Sequence, residues 1–534
     1  MPWLGDNYFI TFNTIKMKRL IHIFPFIIAL LAFTGCFQDK STFDTEKIDE
    51  IRIETVSVNY FDENLQAIFI PTQEVLNLKI NVIKGNNSNP NVTYKWKINP
   101  SPWLIPSLDL EGENELNYKV GLKISTTDPY RLSVTVTDED TGLKYFKEWK
   151  LYVSGKFSEG IVIAHTKDNA TSDLSFVSSQ MFSENSVSEF IDQNIFSSGQ
   201  GAAMQGLVTH MVYYASQRSI FGVTSTKESF RVNANDFSLY GYGKELFTYD
   251  AISTSNATGM YFGNSGNIYM IDNGLIYAAY SSNSHKFPSA IHYNSNPPYN
   301  VDGPLVCYTY NPGDKARGIF YDASSSTIKV LKATQSPLYT RVYDLKTGVT
   351  NKTAVGAGVN SNERLMLILK DKSTNIHTIY TAYNGTETPV PGDIDEVTSM
   401  DIPSTNDILN AKGFFICDNQ PVIYYYTSTA ISAINTQTGV PVISQKYVVN
   451  AGEEITTMQV FQQAWYQQAR KKTGAVPIAA HNKTLLISTY NNSSKIGKLV
   501  AIPIINLGEG NLDKANQREF AGFDKITAVA SVGL

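Results

Sequence analysis

The chain has 534 residues, enough for more than one domain at roughly 100–200 residues each. Charged residues make up 17% and apolar ones 42%, a balance that excludes a disordered chain. With 44 Lys plus Arg against 49 Asp plus Glu, the net charge is −5 and no basic run appears, which argues against a nucleic-acid binder; three Cys exclude a disulfide scaffold.

The N-terminus reads as an address. Met17-Lys18-Arg19 is basic, and Leu20 to Thr34 is an apolar run. That run is shorter than the roughly 20 residues that span a bilayer, and it fits the core of a secretory signal. It ends in Phe33-Thr34-Gly35-Cys36, where small residues precede a thiol suited to diacylglycerol attachment. Residues 1–35 are therefore expected to be leader and signal peptide, Cys36 the lipidation site and 36–47 a polar tether. Phe37, standing where a retained inner-membrane lipoprotein more often carries Asp, points to the outer membrane.

Residues 48–153 alternate with period 2, as half-buried strands do. Leu76, Leu78, Ile80 and Val82 fall on one side; Trp96 and Ile98, then Leu132, Val134 and Val136, repeat the pattern. Gly85-Asn86-Asn87, Asn99-Pro100 and Asp138 to Gly142 supply turns. About seven short strands in this length predict an immunoglobulin-like sandwich. Trp96 is expected in its core, and Asp138-Glu139-Asp140 is read as a hairpin turn before a calcium site.

Residues 158–534 contain a diverged repeat. Met270 to Tyr277, crossing Asp272-Asn273-Gly274, is a hairpin, and Ile416 to Tyr424 is read as a second copy. Second-strand anchors fall at Phe176, Phe230, Ile276, Ile328, Ile379, Ile423 and Leu499. Most steps are about 45–55 residues, the size of a propeller blade. An acid-x-aliphatic-hydroxyl element recurs at Asp250, Asp395, Glu453 and Asp524, and Thr-Gly-Val at Thr347 and Thr438. Seven anchors favour seven blades, with six or eight left open. Hairpin strands apolar on both faces, such as Ile268 to Ile271, suit sheets stacked between neighbours. Helical stretches are expected at Val187 to Phe196 and at 461–470. Asp524 to Val529 repeats a first strand but no hairpin follows it; Gly160 to Ile163 enters as a hairpin strand with no first strand before it. The C-terminal strand is therefore expected to pair with 161–165 and close the ring.

Chemical motifs are sparse. Gly-x-Ser-x-Gly, His-Glu-x-x-His and Cys-x-x-Cys do not occur. His165, His210, His285, His292, His377 and His481 are scattered, and no metal, cofactor or catalytic residue is assigned. A carboxylate pair assembled across blades stays open. Cys307 and Cys417 read as buried free thiols. Loop aromatics are the remaining handle: Trp465, Tyr466, Tyr299 and Tyr242 are the candidate ligand contacts, by stacking on sugar rings.

Taken together, Cys36 to Lys40 with Phe43-Asp44, Tyr94-Lys95-Trp96, Leu116-Asn117-Tyr118, Tyr130 to Gly142, Gly160 to Ile163 and Phe523 to Ile526 resemble the PKD-like family lipoproteins of polysaccharide-scavenging Gram-negative bacteria. The resemblance implies an outer-membrane lipoprotein accompanying a starch-utilisation-type uptake system. It brings no site residues with it. The expected fold class is all-β, a PKD-like sandwich followed by a propeller. The expected function is non-catalytic capture of a glycan or other nutrient ligand at the cell surface. The alternatives are docking onto an outer-membrane transporter complex and a propeller hydrolase or lyase.

Overall fold

The structure is a computed structural model. It describes residues 49–533 except 64–65, 73, 100–106, 123–128, 184–188, 249–254, 264–266, 280–285, 289, 292–298, 309–316, 334–339, 363, 384–395 and 464–477. Cys36, Trp465, Tyr466, His285, His292, Asp250, Val187 and nearly all of the helix expected at 461–470 lie outside the described residues.

The fold is all-β, a sandwich followed by a propeller. In the sandwich, Ile51–Val58, Val75–Lys84 and Glu115–Lys119 form one sheet. A six-stranded sheet faces it, with Lys144–Ser154, Tyr130–Asp138 and Val92–Asn99 at its centre. The period-2 residues Leu76, Leu78, Ile80, Leu132, Val134 and Val136 are all buried between the sheets. Trp96 stacks on Trp149 at 5.8 Å, and its indole N–H donates to the Glu113 carbonyl at 2.8 Å. The Asp138–Gly142 segment is a turn, with the Gly142 N–H on the Asp138 carbonyl at 2.7 Å. Its acidic side chains hold a lysine: Lys84 Nζ lies 2.9 Å from Asp138 and 3.0 Å from Asp140. The Lys84 hydrogen bond is the largest cause holding the Asp138 carboxyl below its ordinary value.

Downstream, the described residues form seven antiparallel sheets. Their innermost strands are Lys525–Val532, Val208–Tyr214, Ala257–Gly263, Val306–Tyr308, Lys352–Val359, Gly413–Ile416 and Glu453–Val460. Each packs against the next, and Glu453–Val460 packs against Lys525–Val532, so the contacts run round a ring. Stacking between neighbours explains strands apolar on both faces. Ile268 and Met270 pack toward Phe221 and Val223 of the second sheet, while Tyr269 and Ile271 pack toward Leu305 and Phe320 of the fourth.

The ring joins through its two chain ends. Lys525–Val532 lies antiparallel to Gly160–Thr166, with Gly160 opposite Val532 and Thr166 opposite Lys525. Consecutive residues at the start of the closing strand reach both ways. Asp524 Oδ2 lies 3.4 Å from His165 Nδ1 in the first sheet, and Lys525 Nζ lies 2.8 Å from Glu454 in the seventh. At the far end the Tyr213 hydroxyl donates to the Gly533 carbonyl at 2.7 Å.

The repeated hairpin joins the second and third strands of a sheet, and its turn carries a recurring side-chain acceptor. Asp168 accepts from the N–H groups of Ala170 and Thr171, both at 2.8 Å. Asp371 does the same for Ser373 and Thr374, and Asn491 for Ser493 and Ser494. Short polar side chains that bond backbone two or three residues on are what turns select. Backbone donors pull the Asp168 carboxyl down to about 2.

Four repeat and helix assignments need correction. Ile423 sits in Val422–Tyr426, the second strand of its sheet, whereas the other anchors sit in third strands; the equivalent residue is Ile431, in Ala430–Asn435. Glu396–Asp401 is an outer strand, so the acidic element at 395–398 is no copy of the innermost strands at 453 and 525. Gly348 and Gly439 both turn at positive φ, but one follows a fourth strand and the other links a third to a fourth. The described part of the stretch ending at Phe196 contains a strand, Phe190–Asp192, before the short helix Ile195–Gln200.

His377 is 3% exposed beside the Phe414 ring, and burial is the first cause pushing its imidazole down to about 4. The unfolded chain takes up that proton near pH 6.5. Stability from the buried neutral ring is therefore complete above about pH 6.5 and is lost as pH falls toward about 4. The urea midpoint should drop between pH 7.5 and pH 5, and His377→Phe should shrink that drop. An unchanged drop in the variant would contradict the assignment.

Candidate functional site

A cavity of about 660 Å³ lies at the centre of the ring, within the range of small-molecule sites. The innermost strands of the second to seventh sheets line it. It exists because those strands are edge strands with no partner on the channel side, and the ring holds them around one axis.

Glycine sets how closely two of these strands approach. A Cβ on Gly356 would meet Phe414 Cβ at 3.0 Å, and one on Gly358 would meet Ile416 Cβ at 2.7 Å. Both glycines stand on Lys352–Val359 and let it pack flat against Gly413–Ile416 of the next sheet.

The lining is uneven in chemistry. Met260, Phe262, Leu305, Val355, Val359, Phe414 and Phe415 are apolar, Tyr261 adds a fourth half-buried ring, and Thr258 and Tyr261 bring hydroxyls to the third sheet's share of the lining. Polar groups gather where the sixth and seventh sheets meet: Asp418, Gln459, Gln462 and His481. Gln462 Nε2 donates to Asp418 at 3.3 Å and to Asn482 Oδ1 at 3.1 Å. His481 Nδ1 accepts the Gln463 N–H at 2.8 Å, and its Nε2 lies 3.1 Å from the Asn482 amide nitrogen. His210 lines the opposite side, 5.7 Å from the Tyr261 ring; burial first, then Lys227, lowers its pKa and keeps it neutral. Asp418 is the single carboxylate among the described lining residues. Among the described residues no group of three or more His, Cys, Asp or Glu is placed to hold a metal ion.

Of the sequence candidates, Trp465 and Tyr466 lie outside the described residues, and Tyr299 and Tyr242 are not among the described lining residues. Tyr299 is 3% exposed; its hydroxyl accepts from Ile276 N at 3.1 Å and donates to the Ile291 carbonyl at 2.9 Å, and its ring packs on Phe320. It is a brace in the core and presents no face to a ligand. Tyr242 ends the outer strand Leu239–Tyr242, away from the axis, with its hydroxyl on the Gln205 carbonyl at 3.3 Å. Cys307 and Cys417 are free and buried, and burial raises both thiols, so they are inert.

One arrangement went unread in the sequence. His165 Nε2 lies 2.7 Å from Ser175 Oγ while Nδ1 faces Asp524, the order of a hydrolase triad. Ser175 is fully buried and its Oγ also accepts the Asn194 N–H at 3.1 Å, so no substrate reaches it. The trio is a clasp between the closing strand and the first sheet.

Over residues 36–207 the chain is similar to the PKD-like family; that stretch takes in the sandwich and the start of the ring. No curated protein matches the sequence significantly. Solved structures similar in fold include a quinonprotein alcohol dehydrogenase-like protein from Bacteroides thetaiotaomicron, at 12% identity and TM-score 0.38, covering 89% of this chain and 98% of that one. The Cps50 (Swd1) β-propeller domain from Myceliophteria thermophila is 9% identical at TM-score 0.35, covering 60% and 87%. The WD40 domain of SCAP from fission yeast is 8% identical at TM-score 0.36, covering 59% and 74%. These likenesses say nothing of this chain's activity. Among the described residues no helix is long and apolar enough to cross a membrane.

Gly358→Val should press a branched side chain into Ile416 and cost about 1–3 kcal/mol of stability. Urea unfolding of the variant checks this; wild-type stability would mean that the two strands have room to part.

Proposed function

We propose that the protein is a non-catalytic surface lipoprotein, anchored through Cys36 at the outer membrane, that captures a glycan or other nutrient ligand for an uptake system. The observation that carries this reading is the axial cavity, whose lining combines half-buried rings with amide and carboxylate groups. Rings offer flat apolar faces and amides offer hydrogen bonds, the combination that fixes a small polar ligand. The basic start, the apolar run and the small residues before Cys36 support the anchor, and the PKD-like similarity begins at that residue.

A second reading, docking onto a membrane transporter, is favoured by the rim of the sixth sheet. Its outer strand Val442–Val448 and the preceding turn expose Val440, Val442 and Val448. Exposed apolar clusters of this kind mark protein contacts.

Cys36→Ser should move the protein from the membrane to the soluble fraction on cell fractionation, and unchanged membrane retention would remove the anchor from the account. A binding screen of glycans and small nutrients against that soluble form should find a ligand whose affinity falls about tenfold or more in Gln462→Ala, because the site loses one hydrogen-bonding amide. A ligand bound equally well by the variant would place the site outside the cavity.

A further inference from the structure

The six-stranded sheet of the sandwich has an outer face. Leu132, Trp149 and Leu151 point into the core, so period 2 puts Arg131, Phe146 and Lys150 on the outside. Lys95 and Lys97 lie outside in the same way, on either side of the buried Trp96. Phe146 is 67% exposed, with Thr135 opposite it and Lys95 opposite Thr135. Leu143, just before the strand, is 41% exposed. Arg131 stands directly opposite Lys150, and neither makes an ion pair among the described residues. Like charges set opposite each other destabilise a strand pair, so the sheet carries a cost that an external anion would relieve.

The charge of this face runs against that of the whole module. Residues 49–154 hold 11 Lys or Arg and 15 Asp or Glu. The outer face holds Lys95, Lys97, Arg131, Lys144 and Lys150 against Asp109, Glu148 and, at its edge, Glu139. Asp109 is shared by Lys95 at 3.3 Å and Lys97 at 3.6 Å. The chain also enters at the Phe146 end. Ile51 lies opposite Lys84, which pairs with Asp138 in the turn before Lys144–Ser154, and Lys147 Nζ donates to the Ile53 carbonyl at 3.0 Å. The ring is reached from the other end of that strand, at Ser154. Ile51 is 15 residues past Cys36, a reach of at most about 50 Å.

We propose that this face docks on a membrane surface of negatively charged, phosphate-bearing lipids. Its cations meet the phosphates, and Phe146 and Leu143 sit at the boundary between headgroups and acyl chains. Lysines and arginines near an anionic leaflet are attracted to it, and an inserted ring adds apolar burial. Two unbalanced positive charges are a weak hold once salt screens them beyond about 8 Å, so the anchor supplies proximity and the face supplies orientation. The inference rests on the anchor reading for that proximity and is independent of the axial cavity.

The test uses the mature chain carrying Cys36→Ser, so that the face alone can hold it, and vesicles of phosphatidylglycerol or of phosphatidylcholine. Co-sedimentation at low salt should show partition onto phosphatidylglycerol about tenfold or more stronger than onto phosphatidylcholine, and the difference should fade as salt is raised. Arg131→Gln combined with Lys150→Gln should remove most of that difference, with thermal stability kept or raised because two opposed cations are gone. Phe146→Ala should weaken partition about tenfold, as expected for one ring no longer buried. Equal partition onto both lipids overturns the proposal, and so does partition that these variants leave unchanged. Capture by dextran sulfate with no vesicle binding would make the partner a soluble polyanion and would equally overturn it. The anchor is read separately, by fractionation of cells carrying the parent chain: loss of membrane retention there removes the anchor, and the vesicle result still decides the face.

Discussion

Everything in the second half of the chain depends on one pairing, Lys525–Val532 against Gly160–Thr166. A ring of sheets held only by side-chain stacking has a seam, and a seam exposes strand edges and apolar faces. Here the seam is moved inside a sheet, where backbone hydrogen bonds cross it. Apolar packing then works on both sides of the joined sheet. Val162 and Ala164 face Val208 and Ile220 of the second sheet, while Ile161 and Ile163 face Leu486 and Leu499 of the seventh. Ser175, His165 and Asp524 have a catalytic outline and a structural place, because Ser175 and His165 are buried at the join and only Asp524 reaches solvent. The pairing is also costly in loop entropy, since its partners are separated by the rest of the propeller, so closure is expected late in folding.

Closure also fixes what the sandwich attaches to. The strand Lys144–Ser154 leads through five residues into Gly160–Thr166. Within that link Phe157 is buried against Phe176 and Phe237, and Lys156 pairs with Asp192 at 2.6 Å. The joint is packed onto the first and second sheets, so the link between sandwich and ring is held by side-chain contacts.

Much of the fold was legible because strands obey period 2 and blades repeat. Leu76 to Val82 and Leu132 to Val136 bury one face, as their alternation requires, and Ile268 to Ile271 bury both. What misled was local likeness without context. Ile416 to Tyr424 and Met270 to Tyr277 are both tight apolar hairpins, yet one joins first to second strands and the other second to third. No residue in either hairpin reports which neighbour lies on the axis. The Thr-Gly-Val echoes fail similarly, because a positive-φ glycine is demanded by the turn and not by its rank in the sheet. The cavity was not legible. Its lining comes from six strands spread over some 250 residues, and it forms only once closure sets them around one axis. Loop aromatics drew attention for their composition, and Tyr299 turned out to brace two sheets from inside. The one local trace of the cavity is the pair Gly356 and Gly358 in an innermost strand, where missing side chains let two strands meet.

The account is tested most directly by removing the closing strand. A chain ending at Phe523 keeps the sandwich and every other strand of the ring, and loses the partner of Gly160–Thr166. Hydrogen exchange followed residue by residue should then show protection collapsing in the first, second and seventh sheets, with the sandwich strands unchanged. Retained protection of Ile161 to Ala164 in the truncated chain would show that the ring holds without this pairing and would contradict the account.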